Sequence, residues 1–188
     1  VSARELGPYL TGSILLIAPE RARPFDFDDI LTRDVPAAIE AVLADTGFSR
    51  ALWVGHAMGG QLLYGHLAHG GEADLAAAVT LCSSVSFSPP SSSARALALA
   101  RQLLPRRLNL PTRAVAALMA PSARGDASLA SSALPGEVAR GLLLHGTEDL
   151  SAGLLRQAML WLERGSLCDR DDRLDYLTAM RGAQTPLM

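Results

Sequence analysis

Short apolar runs alternate with amphipathic stretches along the first half of the chain. Ser13 to Ala18 (SILLIA) is continuous, rich in branched residues and closed by Pro19, which predicts a strand buried on both faces. From Phe25 to Thr46 the apolar residues Ile30, Leu31, Val35, Ile39, Val42 and Leu43 recur at helical steps, and Gly47 stops them. Pro36 fits this helix if Asp34 caps it and Pro36 stands in its first turn, with a short helical turn over Phe27 to Thr32 before it. Arg50 to Val54 predicts a second strand, Gln61 to His69 a second helix and Ala76 to Leu81 a third strand, after a break at Gly70-Gly71. Strand, helix, strand, helix, strand predicts an α/β fold with a parallel sheet covered by helices.

After Ser83 the pattern changes. Pro89-Pro90-Ser91-Ser92-Ser93 is a breaker run, and from Ala94 onward Leu, Ala and Met recur at helical spacing between prolines. Ser131 to Pro135 is its most flexible-looking stretch, and a long helix is expected from Ser151 to Arg164. Thr185-Pro186-Leu187-Met188 reads as the start of a further apolar strand. The expected organisation is a partial core over 1–88, a mostly helical cap over 89–182 and the start of a core strand over 183–188, with both chain ends read as cuts through a larger fold.

The 188 residues are 49% hydrophobic and 19% charged, as in a globular chain with one core. A net charge of -2 supplies no basic field for nucleic acid. No apolar run is long enough for a membrane span, and no signal-peptide pattern is present, so a cytoplasmic protein is expected. Cys82 and Cys168 are the only cysteines, too few for a disulfide framework and without zinc-site spacing.

The stretch that carries chemistry is Gly55-His56-Ala57-Met58-Gly59-Gly60, which follows an apolar strand and opens a helix. It resembles the nucleophile elbow of α/β-hydrolases. Gly55 and Gly59 flank the central position as that turn requires, where strand and helix approach too closely for a Cβ. His56 and Met58 are neighbours common in lipase- and esterase-like members. The upstream residues Phe25-Asp26-Phe27-Asp28-Asp29 and Asp34-Val35-Pro36-Ala37 resemble the same region of acid-lipase-like α/β-hydrolases. The resemblance covers roughly 25–84 strongly and the rest down to Met188 more loosely. It implies a partial α/β-hydrolase fold with a helical cap insertion and carboxylic-ester hydrolysis through an acyl-enzyme, with no cofactor. The phosphate-binding alternatives fail, because neither G-x-G-x-x-G nor a Walker pattern matches and the chain has no Lys.

The departure from the family lies at the reacting atom. Ala57 stands where an active member has Ser, and a methyl group cannot attack a carbonyl. The family's acid and base follow the nucleophile in the order Asp or Glu, then His. The histidines are His56, His66, His69 and His145, and none follows His145. His56 belongs to the turn, and His66 and His69 lie on the following helix, near a C-terminus that favours cations. Gly141 to Asp149 allows two readings. As an apolar strand ending in Gly-x-x-Asp it would present Asp149 as the triad acid; as part of the cap it places Asp149 near the helix whose period continues through Leu154, Leu155, Met159 and Leu162. Of the oxyanion hole, the Met58 backbone N–H is present by position, and the second donor's loop is not recognisable.

Asp169, Asp171, Asp172 and Asp175 do not fit a calcium loop, because Leu174 and Met180 fall where Gly and Glu are wanted. They read as a solvated turn balanced by Arg170 and Arg173, while Trp161 and Met159 read as core. No metal is expected. The chain is therefore expected to be a lipase- or esterase-like α/β-hydrolase homologue that is catalytically inactive. The alternative is a non-enzymatic module that binds an apolar ester, another apolar small molecule or a protein, and open sheet edges favour self-association.

Overall fold

The computed structural model describes residues 25–87, 99, 101–105, 109–110 and 150–188. The strand expected at 13–18, the breaker run at 89–93, the 131–135 stretch and the segment 141–149 with His145 and Asp149 lie outside the described residues. What is described is mixed α/β.

A short helix α1 (Phe27–Asp29) passes through a π-helical stretch, Ile30–Asp34, into α2 (Val35–Thr46). Asp34 does not cap α2, contrary to the sequence expectation: its backbone is already helical and its side chain makes no capping bond. The cap sits eight residues earlier, where the Asp26 carboxylate accepts from the Asp29 amide at 3.0 Å and the Asp29 carboxylate accepts from the Asp26 amide at 3.1 Å. Pro36 has no N–H to donate to a preceding turn. Just upstream the ladder widens, and Val35 donates to Ile30. Gly47 (φ 71°) ends α2 in the left-handed conformation, its amide donating to Leu43 at 2.9 Å.

Strand β1 (Ala51–His56) leads through Ala57 into α3 (Met58–Ala68), and a 3-10 turn, Gly71–Asp74, leads into β2 (Leu75–Leu81). β1 and β2 pair in parallel, with Trp53 beside Ala78 and His56 beside Leu81. On the far side of β2 the chain end adds a further parallel segment: Ala78 donates to Pro186, Met188 donates to Ala78 and Thr80 donates to Met188, at 2.9 to 3.0 Å.

β3 (Asn109–Leu110) pairs antiparallel with β4 (Leu150–Ser151), directly before α4 (Ala152–Arg164). α4 joins the same core as the first half of the chain. Its Trp161 meets Phe27 edge to face at 4.8 Å and stacks on Phe87 at 6.1 Å. Phe27, Leu63, Leu167 and Tyr176 at the start of α5 (Tyr176–Ala179) are fully buried in this cluster.

Asp28 is the polar centre of the junction. Its carboxylate accepts from Tyr176 Oη at 2.6 Å, Gln157 Nε2 at 2.5 Å, the Arg170 amide at 2.8 Å and Arg170 Nε at 3.2 Å. Arg170 also reaches Asp26 at 2.8 Å and Asp29 at 3.3 Å. The guanidinium expected to balance the 169–175 turn thus serves the α1 carboxylates instead. The turn closes on itself, since Asp169 accepts from the amides of Arg173 and Leu174 and Asp175 caps α5 through Thr178.

Candidate functional site: the strand-turn-helix at Ala57

Ala57 has φ 50° and ψ -113°, a conformation that a residue with a Cβ rarely adopts. Neighbouring elements hold it there. Its amide donates to Leu81 at 2.9 Å, continuing the β1–β2 ladder one residue past the strand, and its carbonyl accepts from Gly60 at 3.1 Å and Gln61 at 3.3 Å. Trp53 Nε1 donates to the Gly59 carbonyl at 3.1 Å and ties β1 to the first turn of α3, while Gln61 Nε2 donates to Ser84 at 3.1 Å beyond β2. The turn is clamped from both strands.

The glycines divide differently from the sequence expectation. A Cβ on Gly55 would lie 2.6 Å from the backbone of Gly59 and Gly60, where strand and helix cross. A Cβ on Gly59 would meet nothing within 4 Å, so the close approach requires glycine on the strand side, at Gly55, and not at Gly59. Gly60 takes that role, because its Cβ would lie 2.1 Å from Ser83 Oγ and 2.5 Å from Ser83 Cβ. The paired glycines at 59 and 60 were the available signal; which one faces β2 depends on the helix phase after the turn.

Position 57 itself presents a methyl group. Met58 is the first residue of α3, so its N–H has no carbonyl one turn earlier in the helix, as an oxyanion donor requires. No base is built beside it among the described histidines. His69, at the far end of α3, bonds the Gly65 carbonyl through Nδ1 at 2.8 Å and packs near Tyr176. His66, more than two turns from Ala57, is buried, stacks on Trp53 at 6.1 Å and lies against Gly71. Burial holds its imidazole below the ordinary histidine range, partly offset by the charge of Asp74. His56 ends β1 with an exposed side chain.

Cys82 is the residue that no sequence signal singled out. It is exposed, has φ 52°, and follows Leu81 as Ala57 follows His56 on the paired strand, so a residue of positive φ follows each strand. Cys168 is buried, and loss of hydration pushes its thiol up to about 11.

A cavity of about 310 Å³ lies between α1 and α4, lined among others by Phe25, Arg33, Gly153, Arg156 and Leu160; none of the elbow residues lines it. Three of its guanidinium groups are committed within the fold, Arg101 to Glu163 at 2.8 Å, Arg156 to the carbonyls of Arg101 and Leu104, and Arg170 to Asp26, Asp28 and Asp29. Among the described residues no three His, Cys, Asp or Glu side chains group as metal ligands, and no helix is long and apolar enough to cross a membrane. Comparison of the chain with models of protein families, with curated proteins and with solved structures finds no match.

Proposed function

We propose that the chain carries the elbow region of an α/β-hydrolase-like core whose reacting position has become a methyl group, and that it does not hydrolyse esters. The observation that carries this reading is Ala57 at φ 50° and ψ -113° between a parallel strand and a helix. A strained residue at that point lifts its side chain to the apex of the turn, which serves a nucleophile. Two features support the same reading: Gly55 stands where only glycine fits, and the 186–188 segment extends the sheet in parallel beyond β2. With the methyl in place, what remains is a helix N-terminus with the Met58 N–H, able to bind a carbonyl oxygen but not to attack it. The test is hydrolysis of short and medium acyl esters together with fluorophosphonate labelling of the 188-residue chain. Background rates and no label are expected; covalent labelling of any serine would place a nucleophile elsewhere.

A second reading, association through the sheet, is favoured by one observation. Leu52 and Val54 point from β1 with 76% and 66% of their surface exposed, and Leu81 and Met188 are exposed as well. Such a face, beside an edge of β1 that no described strand pairs, favours pairing with another chain. Light scattering across a concentration series should show a mass that rises with concentration and falls in a Leu52→Ser/Val54→Ser variant. A monomer at all concentrations would remove this reading and leave the first intact.

A further inference from the structure

We propose that the contact of the His66 ring with Gly71 is an acid-opened latch, and that opening it frees the Gly71–Asp74 turn together with the Gln184 amide that the turn holds. The ring is 7% exposed, and its Nε2 is buried with no hydrogen-bond partner. It fills the space in front of Gly71 so closely that a Cβ there would lie 2.2 Å from Nε2. This arrangement suits a neutral imidazole, whose second nitrogen carries no proton. An imidazolium in this dry site loses its hydration, a cost that the charge of Asp74 and the backbone of Gly71 offset only in part. Proton uptake is therefore accommodated by moving the turn away and admitting water, and Gly70 (φ 81°) is a backbone position suited to that movement.

The groups around the ring set the direction. β1 faces it with the uncharged indole of Trp53, the turn contributes the carboxylate of Asp74, and His69 adds a second imidazole from α3, in contact with Tyr176 of α5. Desolvation exceeds the attraction of Asp74 and the hydrogen bonding that the Gly71 backbone offers the charged ring, so the closed turn favours the neutral ring. The consequence reaches beyond the turn, because Glu72 Oε2 accepts the Gln184 amide at 2.8 Å. Gln184 stands two residues before the segment that pairs with Ala78 and Thr80 on the edge of β2. Moving Glu72 releases Gln184, while the backbone bonds to Ala78 and Thr80 keep 186–188 on β2.

Amide hydrogen exchange on the full chain tests the latch, at about pH 7.5 and about pH 5.5, with rates corrected for intrinsic exchange. If the ring protonates near its ordinary 6.5 only when the turn is open, opening becomes roughly tenfold more frequent at the lower pH. Protection of 71–74 and of Gln184 should fall by about that factor relative to 152–164. His66→Gln and His66→Phe should both abolish the difference. Equal protection at the two pH values, or the same loss in a folded variant, overturns the proposal. An NMR titration of the unmodified chain gives an independent reading: the His66 ring should titrate together with the amides of 71–74 and Gln184, and a ring titration without those shifts also overturns it.

Discussion

Ala57 bears a backbone conformation that costs about 1 to 3 kcal/mol for a residue with a Cβ. Glycine would relieve it, at an entropic cost of about 0.5 to 1 kcal/mol in the unfolded chain. Ala57→Gly is therefore expected to stabilise the chain by about 1 kcal/mol in urea denaturation, and a loss of stability would contradict the strain at this turn. The flanking glycines give a sharper contrast. Gly55→Ala drives a methyl into the backbone of Gly59 and Gly60 and should destabilise by at least about 2 kcal/mol, whereas Gly59→Ala enters open space and gains helix propensity of up to about 1 kcal/mol. Equal effects of the two substitutions would show that strand and helix do not cross as described. The glycine run announced the turn, but the partner of each glycine emerges only once α3 is set against β2.

At the scale of elements, the legible parts were those whose signals are local. β1, α3 and β2 follow from apolar runs and glycine breaks within 51–81, and α4 from its helical period with Gly165 as the stop. The joint between α1, α4 and the 166–176 stretch was not legible. Its bonds connect Asp28 to Gln157 and Tyr176, 129 and 148 residues away, and no local pattern encodes such a pairing. The π-helical stretch was hidden for a related reason: Pro36 suggests two helices with a fresh cap at Asp34, whereas packing of Ile30, Leu31 and Val35 carries one helix through the widened turn. The Asp28 junction should act as a unit. Asp28→Ala leaves the buried Tyr176 hydroxyl unmet and takes one acceptor from Gln157 and one from Arg170, and is expected to cost about 3 kcal/mol. Tyr176→Phe removes a single bond and should cost about 1 to 2 kcal/mol. Chemical denaturation of both variants and the double mutant checks this; full additivity of the two would contradict a shared network.

At the scale of the whole molecule, one core links residues 25–87 to residues 151–188, and its stability should respond to mild acid through His66. Burial holds the folded-state value below 6.5, so the unfolded chain takes the proton first. The stability contributed is complete above about pH 6.5 and is lost as the pH falls from there toward the folded-state value, with a slope of up to about 1.4 kcal/mol per pH unit. Urea midpoints should therefore drop between about pH 7.5 and about pH 5.5 and stay level in His66→Gln. Asp26, which burial raises above 3.8, works in the opposite sense at more acid pH.

The same scale decides the question of activity, because catalysis needs groups from several elements to converge on position 57. The described histidines pack elsewhere: His66 against Gly71, His69 on its own helix, and His56 at the exposed end of β1. A serine hydroxyl near its free pKa is a weak nucleophile until a positioned base takes its proton. The most direct test of the account is the rate of ester hydrolysis by the Ala57→Ser chain beside the parent chain. Turnover at background is expected, or at most a trace of the kind that survives loss of triad members in other serine enzymes. Turnover by the Ala57→Ser chain at ordinary enzyme rates, on the order of 1 to 10³ per second, would mean that a base already faces position 57 and would contradict it.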